Sequence, residues 1–190
     1  MLRNFAAVCL AASLSVPLVA QSNMAAPEKF TAFAVDTSNM TSRARTNTVD
    51  ITITRWSTDA DRDRLLTILR EKGQDALLDA LRKMPVVGYL TTPGSLRYDL
   101  HFAREIDQPE GGRRIVLGTD RYIGSWEAFN RPRTIDYPFT VIELQLDKND
   151  HGVGKASIYT KITATGGGDI ELENFANQPV MLNDVKPAKG

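Results

Sequence analysis

From Val86 onward the chain is a succession of short segments in which apolar and polar residues alternate, each ended by a turn signal. In "SLRYDLHFAREI", Leu96, Tyr98, Leu100, Phe102 and Ile106 fall on one side, and Arg97, Asp99, His101 and Glu105 on the other. A period of two is the side-chain repeat of a β-strand with one face buried. "EGG" turns this segment into "RRIVLGTD", and "PFTVIELQLDK", "GVGKASIYTKITA", "DIELENFA" and "PVMLNDV" follow, separated by "NDHG", "GGG" and "NQP". Short strands at turn spacing, with no helix between them, pair as antiparallel neighbours. Upstream, "KFTAFAVD" and "NTVDITITRW" alternate in the same way, with Val49, Ile51 and Ile53 facing in and Asp50, Thr52 and Thr54 facing out.

Between these two groups the period changes. "STDADRDRLLTILREKGQDALLDALRKMP" places carboxylates early, then clusters Leu65, Leu66 and Leu69 on one stripe and Leu77, Leu78, Leu81 and Met84 on another. Such stripes are the mark of amphipathic helices. Ser57 or Thr58 can accept from the first free amides, Gly73 supplies a left-handed stop, and Pro85 ends the second segment. The expected fold is mainly β (α+β): an antiparallel β-sandwich or open barrel with one inserted two-helix hairpin at about residues 58–84, in a single domain over residues 27–186.

The first residues stand apart from that domain. In "MLRNFAAVCLAASLSVPLVAQ", Arg3 precedes an apolar run from Phe5 to Val19, and Ala20 is a small residue at its end. That layout predicts a secretory signal peptide over residues 1–20, and the run is short for a membrane span. The one cysteine, Cys9, lies within it, so the mature chain would enter an oxidising compartment with no disulfide and depend on burial alone. The expected location is periplasmic or extracellular. With 23 basic against 23 acidic side chains there is no net field to hold a polynucleotide, so no nucleic-acid partner is expected.

The segments "FTAFAVD", "RWST", "TPGSL", "GGRRIVLGTDR", "DYPFTVIELQLD" and "IELEN" together give the chain a resemblance to a group of uncharacterised secreted bacterial proteins of similar length. The resemblance covers nearly all of the mature chain. It implies export and brings no activity, cofactor or catalytic residue with it.

Chemistry therefore has to be sought among the residues themselves. No G-x-S-x-G nucleophile elbow occurs, and a triad would have to use one of only two histidines, His101 or His151. His101 reads as a strand residue on the polar face beside Asp99, and His151 as part of a hairpin turn. "DKNDHG" opens like a calcium loop, but His151 stands where an oxygen donor belongs and Ile158 where the closing glutamate belongs. No metal and no cofactor are expected. Glu143, Glu171 and Glu173 offer a carboxylate pair of the kind glycan hydrolysis needs. Lys155 and Lys161 face the same way on the intervening strand, which is the pattern of a solvated sheet face.

The remaining candidate is "RYIGSWEAFNRPRTIDYPF", residues 121–139. Pro132 and Pro138 make it an irregular excursion between two strands. Its aromatics either close one end of the core beneath the arginine stems, or form a groove in which Arg131 and Arg133 meet an anionic or sugar ligand against Trp126 and Tyr137. The sequence thus points to a non-enzymatic exported β protein that binds a small molecule, a surface polymer or another protein through this loop. A hydrolase using His101 or a carboxylate pair is the alternative.

Overall fold

The computed structural model describes residues 26–36, 45–121, 136–165, 170–174 and 179–188. The signal-peptide expectation for residues 1–20 lies outside them. The strands are β1 (Glu28–Asp36), β2 (Arg45–Ile53), β3 (Gly88–Thr91), β4 (Tyr98–Leu100), β5 (Phe102–Asp107), β6 (Arg113–Thr119), β7 (Phe139–Leu146), β8 (Gly152–Ala164), β9 (Ile170–Asn174) and β10 (Val180–Pro187). One helix, α1 (Asp59–Arg82), is inserted between β2 and β3.

All strands join one antiparallel sheet in the order β4-β3-β2-β1-β10-β8-β7-β6-β5, with β9 added to β8. The sheet is mainly a meander that nearly closes into a barrel. Closure happens at His101. Leu100 pairs with Gly88 on β3, while Phe102 pairs with Gly118 on β6, so β4 and β5 are successive parts of one path that leaves one edge and joins the other. The His101 amide donates to Gly118 O at 3.0 Å, and the Val87 amide donates to Leu100 O at 2.8 Å, which ties the two edges together. A closed sheet leaves no long row of unpaired backbone groups.

The bend at His101 also reverses the alternation. Tyr98 and Leu100 are buried in the barrel as expected, but beyond the bend it is Ala103, fully buried, that points inward. Phe102 and Ile106, read from the sequence as inward, lie on the outer face with Arg104 between them. Leu96 precedes the strand and is 85% exposed.

The barrel interior is filled by side chains from every stave, among them Phe30, Ile51, Leu90, Ile115, Ile142, Leu144, Leu182 and Val185. Arg113 closes one end. Its guanidinium donates to Glu105 Oε2 at 2.7 Å, Glu28 Oε2 at 2.6 Å and Asp150 Oδ1 at 2.8 Å, and lies over the Phe30 ring. Burial alone would ease its proton off. The three carboxylates outweigh that and hold it charged well above its ordinary value.

Helix α1 begins with a capping box. The Asp61 amide donates to Thr58 Oγ1 at 3.1 Å, and the Thr58 amide donates back to Asp61 Oδ2 at 2.9 Å. The helix is broken at Gly73, whose φ of 77° and ψ of −172° are open to glycine and very costly for any residue with a side chain. The two helical segments therefore meet at one residue, with no loop between them. Leu65 and Leu69 from the first segment, and Leu77, Ala80 and Leu81 from the second, form one apolar cluster with Met84 and Phe139. This second core lies on the outside of the barrel wall.

Candidate functional site

An apolar groove of about 320 Å³ lies between α1 and the outer face of the barrel. That is near the lower end of the range for small-molecule sites. Its roof is Leu65, Leu66 and Leu69 from one helical segment and Leu77 and Leu81 from the other. The break at Gly73 is what lets both segments contribute. Its far wall is the hairpin of β8 and β9, which supplies Ile162, Ile170 and Leu172. That hairpin leaves the barrel where β8 bends: Tyr159 has a positive φ of 56°, and the pairing register slips between Phe139 and Val141. Gln74, beside the helix break, fixes it in place. Its Nε2 donates to Asp136 O at 2.9 Å, and its Oε1 accepts from the Ile162 amide at 3.3 Å.

The floor is the outer face of β5, β6 and β7, and its chemistry changes along the strands. Ile106, Arg114 and Gln145 form one cross-strand row, Arg104, Val116 and Glu143 the next, and Phe102, Gly118 and Val141 the third. Phe139, opposite Thr160, continues this face toward the hairpin. Rows on one face are about 7 Å apart. Cations are thus confined to the first two rows, joined there by Arg62 on α1, while the third row, Phe139 and the hairpin are apolar. Glu143 is the carboxylate of these three rows, and among the described residues no histidine lines the groove. The Thr119 and Thr140 hydroxyls are buried beneath it without a hydrogen-bond partner among those residues.

The three arginines differ in how firmly they are held. Arg104 forms a close ion pair with Asp59. Arg62 meets Asp63 at 2.9 Å. Arg114 has only a 3.9 Å approach from Nη1 to Glu143 Oε1, and its Nε is buried without a hydrogen-bond partner among the described residues. Glu143 is itself engaged by Lys155 at 3.2 Å and by Gln145. Burial pushes its pKa up, but those contacts and the charges of Lys155 and Arg114 prevail and hold it below its ordinary value. A general acid for glycoside cleavage needs the opposite shift.

The other sequence candidates separate as follows. Lys155 sits opposite Glu143, and Lys161 opposite Glu173, so these carboxylates belong to cross-strand rows of alternating charge. His101 directs Nδ1 at Met84 O, 3.0 Å away, and Nε2 at Asp120 Oδ1, 3.6 Å away. A carbonyl can only accept, so Nδ1 carries the proton, and Nε2 faces a carboxylate where a triad would place its nucleophile. Asp120 is also bonded to Arg82 Nε at 3.2 Å, and Asp99 pairs with Arg97. In the "DKNDHG" turn, Asp147 Oδ1 accepts the Asn149 amide at 2.7 Å and the His151 amide at 3.0 Å. The His151 amide, with the Asn149 amide beside it, holds this carboxylate below its ordinary pKa, and the two bonds shape a hairpin between β7 and β8. Among the described residues no cluster of three histidine, cysteine or carboxylate side chains is poised to hold a metal.

Of the four nominated binding residues, Trp126, Arg131 and Arg133 lie outside the described residues. Tyr137 is half-buried and donates from its hydroxyl to Glu173 Oε1 at 2.9 Å, on the hairpin strand β9. That hydrogen bond, with smaller contributions from burial and nearby carboxylates, raises its pKa. The groove residues Arg104, Arg114 and Val116 were not singled out from the sequence. The signal for them was a third apolar position, Val116, on the polar side of "RRIVLGTD", where a solvated face would carry none. No family model, curated protein or solved structure matches the chain. Among the described residues no helix is long and apolar enough to cross a membrane.

Proposed function

We propose that this chain is an exported, non-enzymatic binding protein that takes a small, largely apolar molecule into the groove between α1 and the barrel wall. Export is supported by the charged start, apolar run and small residue at Ala20, and by the resemblance to secreted proteins. The observation that carries the binding reading is the groove itself: apolar side chains from the helix, the wall and the hairpin converge on about 320 Å³ of open space. Ile170 and Leu172, 49% and 36% exposed, border it and would be covered by an occupant. Wet apolar surface next to a concavity is a common mark of a ligand site. The hydrolase alternative has less support, because His101 faces Asp120 and Met84 and is not among the groove's lining.

The test is a titration with N-phenyl-1-naphthylamine, an uncharged apolar dye that brightens when it leaves water. The mature protein should bind it saturably at one site. Leu172→Glu places a carboxylate on the groove's rim at a half-exposed position, and Val116→Trp fills the floor. Both should weaken the dye about tenfold or more while leaving the urea midpoint nearly unchanged. Absence of saturable binding by the native chain, or equal binding by both variants, would overturn the groove reading.

A further inference from the structure

The graded floor of the groove adds a direction to any ligand lying in it, and we infer that the occupant is a single-chain amphiphile with an anionic head. This rests on the binding reading above and specifies the ligand class. Arg114 and Arg104 occupy successive rows at one end of the floor, and Arg62 stands over that end from the first turns of α1. At the other end, Phe102, Val141 and Phe139 lead to the apolar side of the hairpin. From Phe139 at the apolar end to Gln145 in the first row, β7 runs six residues, about 20 Å of extended strand, so the floor is long enough for one extended chain and too short of polar groups for a sugar.

The head-group position follows from which cation has bonding capacity left. Arg104 and Arg62 each already hold an aspartate, whereas Arg114 stands 3.9 Å from a glutamate that Lys155 occupies more closely. A guanidinium with unused donors beside an apolar channel recognises carboxylate, sulfate or phosphate oxygens in the same way, through paired N–H donors. Glu143, the carboxylate of the second row, is already engaged by Lys155 and Gln145, which offsets its charge beside such a head. Arg114 is the positioning group, and the apolar rows take the tail.

Three probes with one ten-carbon chain and different heads test this at pH 7.5: decanoate, decanol and decyltrimethylammonium, each followed by isothermal titration below its aggregation concentration. The expected order is decanoate tightest, by about tenfold over decanol, with the cation weakest. Arg114→Gln should remove the decanoate preference to within about twofold while leaving decanol unchanged, and Arg114→Lys should restore part of it. Unchanged urea midpoints show that these variants remain folded. If decanol matches decanoate in the native protein, the head-group inference is overturned and the apolar groove stands. If none of the three binds saturably, the binding reading itself falls. If Arg114→Gln keeps the full preference, the head is not at Arg114 and the assignment is wrong.

Discussion

Replacing Gly73 with alanine separates two accounts of α1 by the sign of the effect. If the helix ran regularly through this position, alanine would stabilise it by about 1 kcal/mol, the helix-propensity difference, which already includes the less flexible unfolded chain. In the structure Gly73 is not helical: its φ is 77° and its ψ −172°, a region that costs a residue with a Cβ about 1–3 kcal/mol. A Cβ built there meets nothing within 4 Å, so the variant adds backbone strain without a collision. Straightening the helix would relieve the strain only by pulling Leu77 and Leu81, both buried, off the wall, and each such side chain is worth about 1.5–3 kcal/mol. Keeping the break is the cheaper response. After the unfolded-state gain of about 0.4–1 kcal/mol is subtracted, a net loss centred on about 1 kcal/mol, and of at most about 2.6 kcal/mol, is expected. Urea unfolding followed by far-ultraviolet circular dichroism measures it. A raised midpoint with a stronger helical signal would show that the chain prefers a continuous helix, and the roof of the groove would then be wrongly drawn.

Leu81→Ala removes a buried side chain that bridges the helix to Phe139, and the unfolding free energy from urea titration should fall by about 2–3 kcal/mol, the lower part of the usual range because the groove beside it already opens to solvent. Arg113→Met leaves Glu28, Glu105 and Asp150 converging on the barrel end without their cation; a loss of about 2–3 kcal/mol by denaturant titration is expected, reduced from the fully buried case because the carboxylates are about one-third exposed. The pH dependence follows from Asp61, Glu143 and Asp147, whose pKa values are all lowered in the folded chain. A depressed folded value means the unfolded chain binds the proton first, so this stability is whole above the ordinary values of 3.8 and 4.5 and is lost as pH falls through the lower folded values. Urea midpoints should be level from pH 6 to 5 and drop by pH 3, and Asp61→Asn should flatten part of that drop.

The strands were legible because Val49, Ile51 and Ile53 are buried on one face as their spacing requires, and the helix because Leu65, Leu69, Leu77 and Leu81 recur at helical intervals. Gly73 was readable as a left-handed stop for the same local reason. What lay beyond local pattern was the turn of the sheet at His101. Alternation shows that a strand has two faces, but the choice between them reverses where one path changes partners, and that choice depends on the closure of the whole sheet. Phe102 and Ile106 were therefore read as interior when they form the groove floor. Arg113 and Arg114 are adjacent and look alike in "RRIVLGTD", yet the pleat sends one to the barrel end among three carboxylates and the other to the groove. The loop at residues 121–139 drew attention through composition, while the groove is assembled from residues far apart in the chain, none of which is unusual in its own segment.

Methyl-labelled NMR spectra of isoleucine, leucine and valine side chains, recorded during a decanoate titration, test the central claim most directly. Methyl groups of Leu65, Leu69, Leu81, Val116, Ile162 and Leu172 line the groove from its three sides, whereas those of Ile115, Ile142, Leu144 and Leu182 are packed in the barrel. The groove set should shift together along one saturable curve while the barrel set stays in place. Shifts concentrated in the barrel set, with the groove set unmoved, would contradict a ligand site between α1 and the wall.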